Sequence, residues 1–143
     1  MSIVHPVLPG ARVLDLFAGT GALGLEALSR GAAFVDFVED SARTIRTLDA
    51  NIAALDTGGR CAVHRDDACR FVGRLGGDTG RMPYDVAFAD PPYRKGLALA
   101  VAEGWLAAPF ATIFGIEHEA SLALPGAHDV RRYGDTAITL YRS

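Results

Sequence analysis

Cysteine is scarce in this 143-residue chain, and Cys61 and Cys69 are too few for a disulfide framework. Their spacing matches none of the common zinc-binding patterns. His118, between Glu117 and Glu119, lacks a ligand partner at useful spacing and reads as structural or solvent-facing, so no metal is expected. No apolar run approaches the roughly 18 residues that a membrane span needs. The start, Met1-Ser2-Ile3-Val4-His5-Pro6, has neither a basic n-region nor a long apolar one, which argues against a secretory signal. Two thiols without a framework fit the cytoplasm. Positive charge is not in excess either. The net charge is −3, and Lys+Arg against Asp+Glu is 9 against 12 over residues 1–90 and 5 against 5 over the rest. Neither half is a basic module, so bulk charge advertises no polyanion partner. Lysine is almost missing: thirteen of the 14 basic residues are Arg, which reflects genome composition more than phosphate recognition.

Half of the chain is apolar and 22% is charged, enough for a real core, and its length suits one domain spanning residues 1–143. Short β-branched or aromatic runs alternate with amphipathic stretches, the pattern of an α/β domain with a parallel sheet. The first strand reads as Arg12–Phe17, and a helix follows over Gly21–Ser29 with Leu23, Ala27 and Leu28 on one face and Gly31 as its stop. A second strand, Phe34–Val38, ends at Glu39. Ser41 then caps a helix carrying Ile45, Leu48, Ile52 and Leu55 at helical spacing, broken by Gly58-Gly59. Cys61–His64 is a weak third strand, followed by a short helix over Arg70–Leu75 and a loop at Gly76–Gly80. Tyr84–Ala89 is a fourth strand. A helix over Leu97–Leu106 and a strand over Thr112–Glu117 come next. Two closing strands, His128–Tyr133 and Thr136–Tyr141, flank a two-residue turn at Gly134-Asp135.

Gly19-Thr20-Gly21-Ala22-Leu23-Gly24 matches G-x-G-x-x-G between a strand and a helix, a setting that points to a nucleoside cofactor. Glycine lets the chain turn sharply and lets a ligand approach closely. Asp15, just before the glycines, suits a cationic amino group such as the amino-acid end of S-adenosylmethionine, and would sit awkwardly beside a pyrophosphate. Glu39, 20 residues after Gly19, stands where a carboxylate can accept both ribose hydroxyls. It does not separate S-adenosylmethionine from a nicotinamide dinucleotide, so an oxidoreductase remains an alternative. Asp66 and Asp67 follow the third strand at the ligand-binding edge. Asp67 is preferred as the acceptor for an adenine amine, and a helix N-cap is the competing role for either.

Asp90-Pro91-Pro92-Tyr93 is the most informative tetrad. It delivers a carboxylate, a rigid carbonyl and an aromatic ring to one point. The exocyclic amine of a base is a poor nucleophile because its lone pair is delocalised. Hydrogen bonds to Asp90 and to the Pro91 carbonyl would favour the pyramidal amine and aim it. The prolines fix φ and offer no competing N–H, and Tyr93 would stack on the base, worth about 1–3 kcal/mol. Neither cysteine stands in a Pro-Cys context near this corner, which argues against covalent carbon methylation.

The run Asp15–Ala27, the Asp90–Tyr93 tetrad and the closing Tyr133-Gly134-Asp135-Thr136 together resemble the bacterial small-subunit (16S) rRNA guanine-N2 methyltransferases, from about Gly10 to Arg142. The resemblance implies a Rossmann-like class I methyltransferase fold, with a mostly parallel seven-stranded sheet and an antiparallel C-terminal hairpin. It implies S-adenosylmethionine as cofactor, held at Asp15, Ala18, Gly19, Gly21, Glu39 and Asp67, with Asp90, Pro91, Pro92 and Tyr93 as the catalytic corner. The partner would be 16S rRNA or an assembling small ribosomal subunit, with Arg94 and Lys95 as candidate phosphate contacts. DNA adenine and protein glutamine are the other amines such a corner can handle. Family members also carry a basic N-terminal segment ahead of the first strand. This sequence starts just before that strand, so weak RNA affinity is expected, or a fragment that binds cofactor without turnover.

Overall fold

The computed structural model describes residues 7–75, 82–93, 96–126 and 129–143. Within them, seven strands and four helices alternate. The strands are β1 (Arg12–Leu16), β2 (Phe34–Glu39), β3 (Cys61–Arg65), β4 (Tyr84–Ala89), β5 (Ala111–Glu119), β6 (Asp129–Tyr133) and β7 (Thr136–Arg142). The helices are α1 (Ala22–Ser29), α2 (Ala42–Ala54), α3 (Ala68–Leu75) and α4 (Leu97–Ala107).

One sheet runs in the order β3-β2-β1-β4-β5-β7-β6. The first five strands of that order are parallel, and β7 pairs antiparallel with both β5 and β6. This is the expected mostly parallel sheet with an antiparallel C-terminal hairpin. Successive side chains of a strand face opposite sides. Val13, Val35, Phe37, Val86 and Phe88 therefore pack against Leu25, Leu28 and Leu48 of α1 and α2. On the other side Leu14, Leu16, Ala87, Ala89, Phe114 and Ile116 meet Ala68 and Val72 of α3, and Val101 and Trp105 of α4. Both faces being covered is what makes the central strands read as near-continuous apolar runs. The chain builds outward from β1 to β3, then returns to β4 on the other side of β1. That reversal opens a crevice at the carboxyl ends of β1 and β4.

Several boundaries move from the sequence reading, each for a local reason. Phe17 is not strand: it takes φ 56, a left-handed conformation that costs about 1–3 kcal/mol for a bulky residue and turns the chain out of the sheet. Leu25 of α1 is buried, whereas Leu23 is half-buried, packed against the same core and lining the crevice. Leu55 lies past the end of α2 and is 61% exposed, because Asp56 (φ 48), Gly58 and Gly59 turn left-handed directly after it. Helix α3 begins at Ala68, two residues earlier than read, where Asp67 caps it. Strand β5 extends to Glu119 because β7 pairs along its whole second half. The hairpin turn is as read: Tyr133 pairs with Thr136, Gly134 has φ 61, and Asp135 stays out of the left-handed region. His118 is structural rather than solvent-facing. It is buried, with Nε2 bonded to Thr139 Oγ1 at 2.7 Å and Nδ1 to the Glu119 carbonyl at 2.9 Å. The loop at Gly76–Gly80, His128, Arg94, Lys95 and Met1–Pro6 lie outside the described residues.

Helix α1 sits close enough to the sheet that Gly24 has no room for a side chain. A Cβ there would stand 2.3 Å from Cε1 of Phe37 and 2.9 Å from Cγ1 of Val35. Gly24→Ala is expected to lower the unfolding free energy by about 1–3 kcal/mol through overpacking, read from a urea midpoint. Alanine is the better helix former by about 1 kcal/mol. A variant as stable as the parent would mean that Phe37 yields without cost.

Candidate functional site

The crevice forms a cavity of about 520 Å³ lined by Asp15, Ala18, Gly19, Thr20, Leu23, Glu39, Asp67, Asp90 and Pro92, among others. Its size falls in the roughly 300–1,000 Å³ range of small-ligand sites. The floor is the turn from β1 into α1. Gly21 takes φ 85 as the N-cap of α1, and a Cβ on it would press on Leu48 at 2.3 Å. Gly21 thus shapes the turn and does not itself line the cavity. Gly19 takes φ 59 and has nothing within 4 Å of its missing Cβ, so backbone is presented to open space there. The turn is braced from behind. Ala18 N–H donates to the Val38 carbonyl at 3.0 Å, and Asn51 Nδ2 of α2 donates to the Thr20 carbonyl at 2.9 Å.

The polar groups on this wall are mostly acceptors. Asp15 is almost fully buried, and its Oδ2 accepts the Gly24 N–H of the first turn of α1 at 3.0 Å. Burial, helped by the charges of Asp90 and Glu39 and opposed by that amide, pushes its carboxyl up to about 8. Glu39 accepts from the Gly19 amide through Oε1 at 3.0 Å and from the Ser41 amide through Oε2 at 2.9 Å. Its carboxylate is thereby held at the mouth of the glycine turn. Asp66 spends both oxygens inside the protein, on the Asp67 amide and on Arg74, which holds its carboxyl below the usual range. Asp67 caps α3 through Oδ1, which accepts the Arg70 amide at 2.8 Å. Its Oδ2 has no partner among the described residues. The two roles weighed for Asp67 are therefore compatible, one on each oxygen.

The Asp90–Tyr93 corner leaves β4 at the edge of this cavity. Pro92 and Leu97 line both the cavity and a neighbouring groove of about 240 Å³, whose other walls include Pro91, Tyr93, His118 and Leu122. Tyr93 is 43% exposed, with its hydroxyl 3.2 Å from Thr136 Oγ1 of β7. The corner thus stands between two spaces, one acidic and one mixed. Sequence reasoning missed Glu117 on β5, which the strand register sets beside Asp90 and whose carboxyl is raised by burial, then by the Asp90 charge and a hydrogen bond shared with it. A signal for it existed: like Asp15, Glu39 and Asp90, it is an acid at the carboxyl end of an inner strand.

A glycine turn at a helix N-terminus, an acid at the end of each neighbouring strand and an Asp-Pro-Pro-Tyr edge define a nucleoside-binding α/β domain of the methyltransferase kind. A solved SAM-dependent methyltransferase from Agrobacterium tumefaciens has this fold, with a TM-score of 0.67 at 15% identity. The solved structure of yhhF from Escherichia coli is nearer, with a TM-score of 0.81 and 31% identity over 99% of this chain and 80% of that one. Residues 1–142 match the family model described as conserved hypothetical protein 95. The ribosomal RNA small subunit methyltransferase D of Escherichia coli strain K12 is 36% identical over 148 aligned residues, covering 96% of this chain and 71% of that protein. The chain belongs to this family of small-subunit rRNA methyltransferases.

The raised carboxyl of Asp15 makes a stability prediction. Between the unfolded value of 3.8 and about 8, the native state keeps a proton that the unfolded chain has lost. Stability therefore falls as pH rises through that window, by at most about 1.4 kcal/mol per pH unit for this one group. Asp15→Asn should remove this slope, seen as a smaller difference between urea midpoints at pH 5 and pH 8 than in the parent. Parallel curves for the two proteins would show that Asp15 is ionised throughout.

Proposed function

We propose that this chain transfers a methyl group from S-adenosylmethionine to the exocyclic N2 amine of a guanine in 16S rRNA, working in the cytoplasm on RNA or an assembling small subunit. The observation that carries the reading is the junction of an acceptor-lined cavity with the Asp90–Tyr93 corner.

The donor set fits this cofactor. Glu39 offers its carboxylate to a ribose diol, the buried Asp15 would give up its proton beside an ammonium group, and Asp67 has an oxygen without a partner among the described residues for an adenine amine. Amides of the first turn of α1, at Ala22 and Leu23, have no helical partner and suit a carboxylate. When bound, the cofactor supplies a methyl group on a sulfonium, already activated for transfer. A nicotinamide dinucleotide would instead bring its pyrophosphate into a cavity lined by the carboxyl groups of Glu39, Asp67 and Asp90, which offer it no positive charge.

The protein then has only to bind, orient and accept. Asp90 and the Pro91 carbonyl would accept the two amine hydrogens, shifting lone-pair density onto nitrogen and aiming it into the cavity. Tyr93 would hold the base by stacking from the groove side, and Asp90 is the nearest group to take the proton that the methylated amine sheds. Catalysis of this kind is mostly positioning. Any planar amine could be held this way, adenine or glutamine included. Membership of an rRNA methyltransferase family favours RNA, and Arg94 and Lys95, which follow Tyr93 in the sequence, would meet its phosphates.

Calorimetric titration with S-adenosylhomocysteine and, separately, NADH is the first test. Saturable binding of the former alone is expected, at a Kd near micromolar, about −8 kcal/mol. Binding of NADH alone would overturn the assignment. Glu39→Ala should weaken S-adenosylhomocysteine by about 1.5–3 kcal/mol. Asp90→Ala should leave that affinity standing while methyl transfer to 16S rRNA or small-subunit particles drops roughly 100-fold or more. Equal loss of both would remove Asp90 from the chemistry. Mass spectrometry of the nucleosides identifies the methylated atom, and a product other than N2-methylguanosine would move the target.

A further inference from the structure

Strand register places three carboxylates on one face of the sheet. Along β4, Val86 and Phe88 face α1 and α2, so Asp90 continues that row. Along β5, Ile113 faces the same way, and so Glu117 does too. The parallel register pairs Ala89 with Ile116, which sets Asp90 and Glu117 side by side one residue beyond. Asp15 lies on the same face one strand further, on β1. At the other flank β7 presents Ile138, with no charge. Glu117 is half-buried and lines neither the cavity nor the neighbouring groove.

Two ionised carboxylates set side by side on adjacent strands repel one another. One proton between them turns the repulsion into a short, strong, charge-assisted hydrogen bond. Of the two, Glu117 is the more sheltered, whereas Asp90 is exposed at the strand end. We propose that Glu117 is a positioning residue: protonated, it donates an O–H to Asp90 and fixes the oxygen that faces the substrate amine. The inference rests on the methyltransferase reading for the purpose of the pair, and on strand register for its existence. The raised carboxyl of Glu117, caused by burial and by Asp90, agrees with that assignment.

Substitution separates a proton donor from a mere filler. Glu117→Gln retains an N–H donor at the same reach, and Glu117→Ala has none. Methyl transfer to small-subunit rRNA by Glu117→Ala is expected to show kcat lowered tenfold or more. KM for S-adenosylmethionine should change less than threefold, with the thermal midpoint of unfolding kept. Glu117→Gln should recover at least fivefold of that loss. It should also abolish the fall in kcat that the parent shows when Glu117 loses its proton at higher pH. The groups facing Glu117 that could confuse this profile are Asp90 on β4 and Asp15 on β1, so the comparison is made between variants that keep both.

A second measurement needs no activity. Carboxyl carbon NMR of Glu117 should show titration above the ordinary glutamate range in the parent and a downward move in Asp90→Asn, whose amide donates to Glu117 instead. No move in Asp90→Asn would overturn the pair, as would equal kcat in Glu117→Ala and the parent, or equal loss in Glu117→Ala and Glu117→Gln. Coupled titration in a parent protein that methylates no small-subunit rRNA would leave the pair standing and overturn the function proposed above.

Discussion

Like charges crowd the carboxyl edge of this sheet, and the architecture around the cavity is largely the means by which that repulsion is contained. Each acid is compensated in its own way. Asp15 is buried against the first turn of α1 and bonded to the Gly24 amide. Glu39 collects two amides, one from the glycine turn and one from the entry to α2. Asp67 faces the N-terminus of α3 as its cap, and Asp90 stands beside Glu117 on the neighbouring strand. Three of the four compensations are backbone N–H groups at helix starts, where unpaired donors and the positive end of the dipole coincide. The helices are therefore part of the electrostatics of the site as well as its walls. A cation entering the cavity meets acceptors that are already oriented, which spares the cost of ordering them on binding.

The site divides into a stiff half and an open half. On the β1–β2 side the turn is tied to its neighbours by Ala18, Asn51 and Glu39, and Phe17 stores left-handed strain at the same place. On the β4–β5 side the Asp90–Tyr93 corner is exposed, with Tyr93 reaching Thr136 on the C-terminal hairpin. This division suits a reaction between a small ligand held in one fixed pose and an amine that arrives on a large partner.

Much of this was legible in the sequence because it is local. Strand alternation, the glycine turn, the Ser41 cap and the Gly134-Asp135 hairpin each rest on residues a few positions apart, and they appear where they were read. Asp15, Glu39 and Asp90 stood out because strand ends followed by glycine, a helix cap or proline are chemically conspicuous. What escaped depends on partners far along the chain. The length of β5 is set by β7, a separate strand further along the chain. The importance of Glu117 comes from Asp90 on another strand, and its neighbours in sequence, His118 and Glu119, gave no hint of it. Leu55 kept helical spacing and was still lost to solvent, because the left-handed turn at Asp56 outweighed periodicity. Leu23 and Leu25 could not be told apart until the cavity claimed one face of α1.

The two outer strands of the sheet carry a consequence for how these molecules coexist in a crowded solution. Open strand edges are templates for unwanted pairing with other chains. Here β6 is one edge and β3 the other. Along β6 both faces are open to solvent, and three of five residues are charged: Asp129, Arg131 and Arg132, the first two in an ion pair. Strand β3 is five residues long and ends at His64, held to Asp36, and Arg65. Short length and interleaved charge make it costly for two sheets to join edge to edge, because Arg131 and Arg132 would have to surrender water to face another backbone. The hairpin beside the Asp90–Tyr93 corner thus also serves as a guard against aggregation.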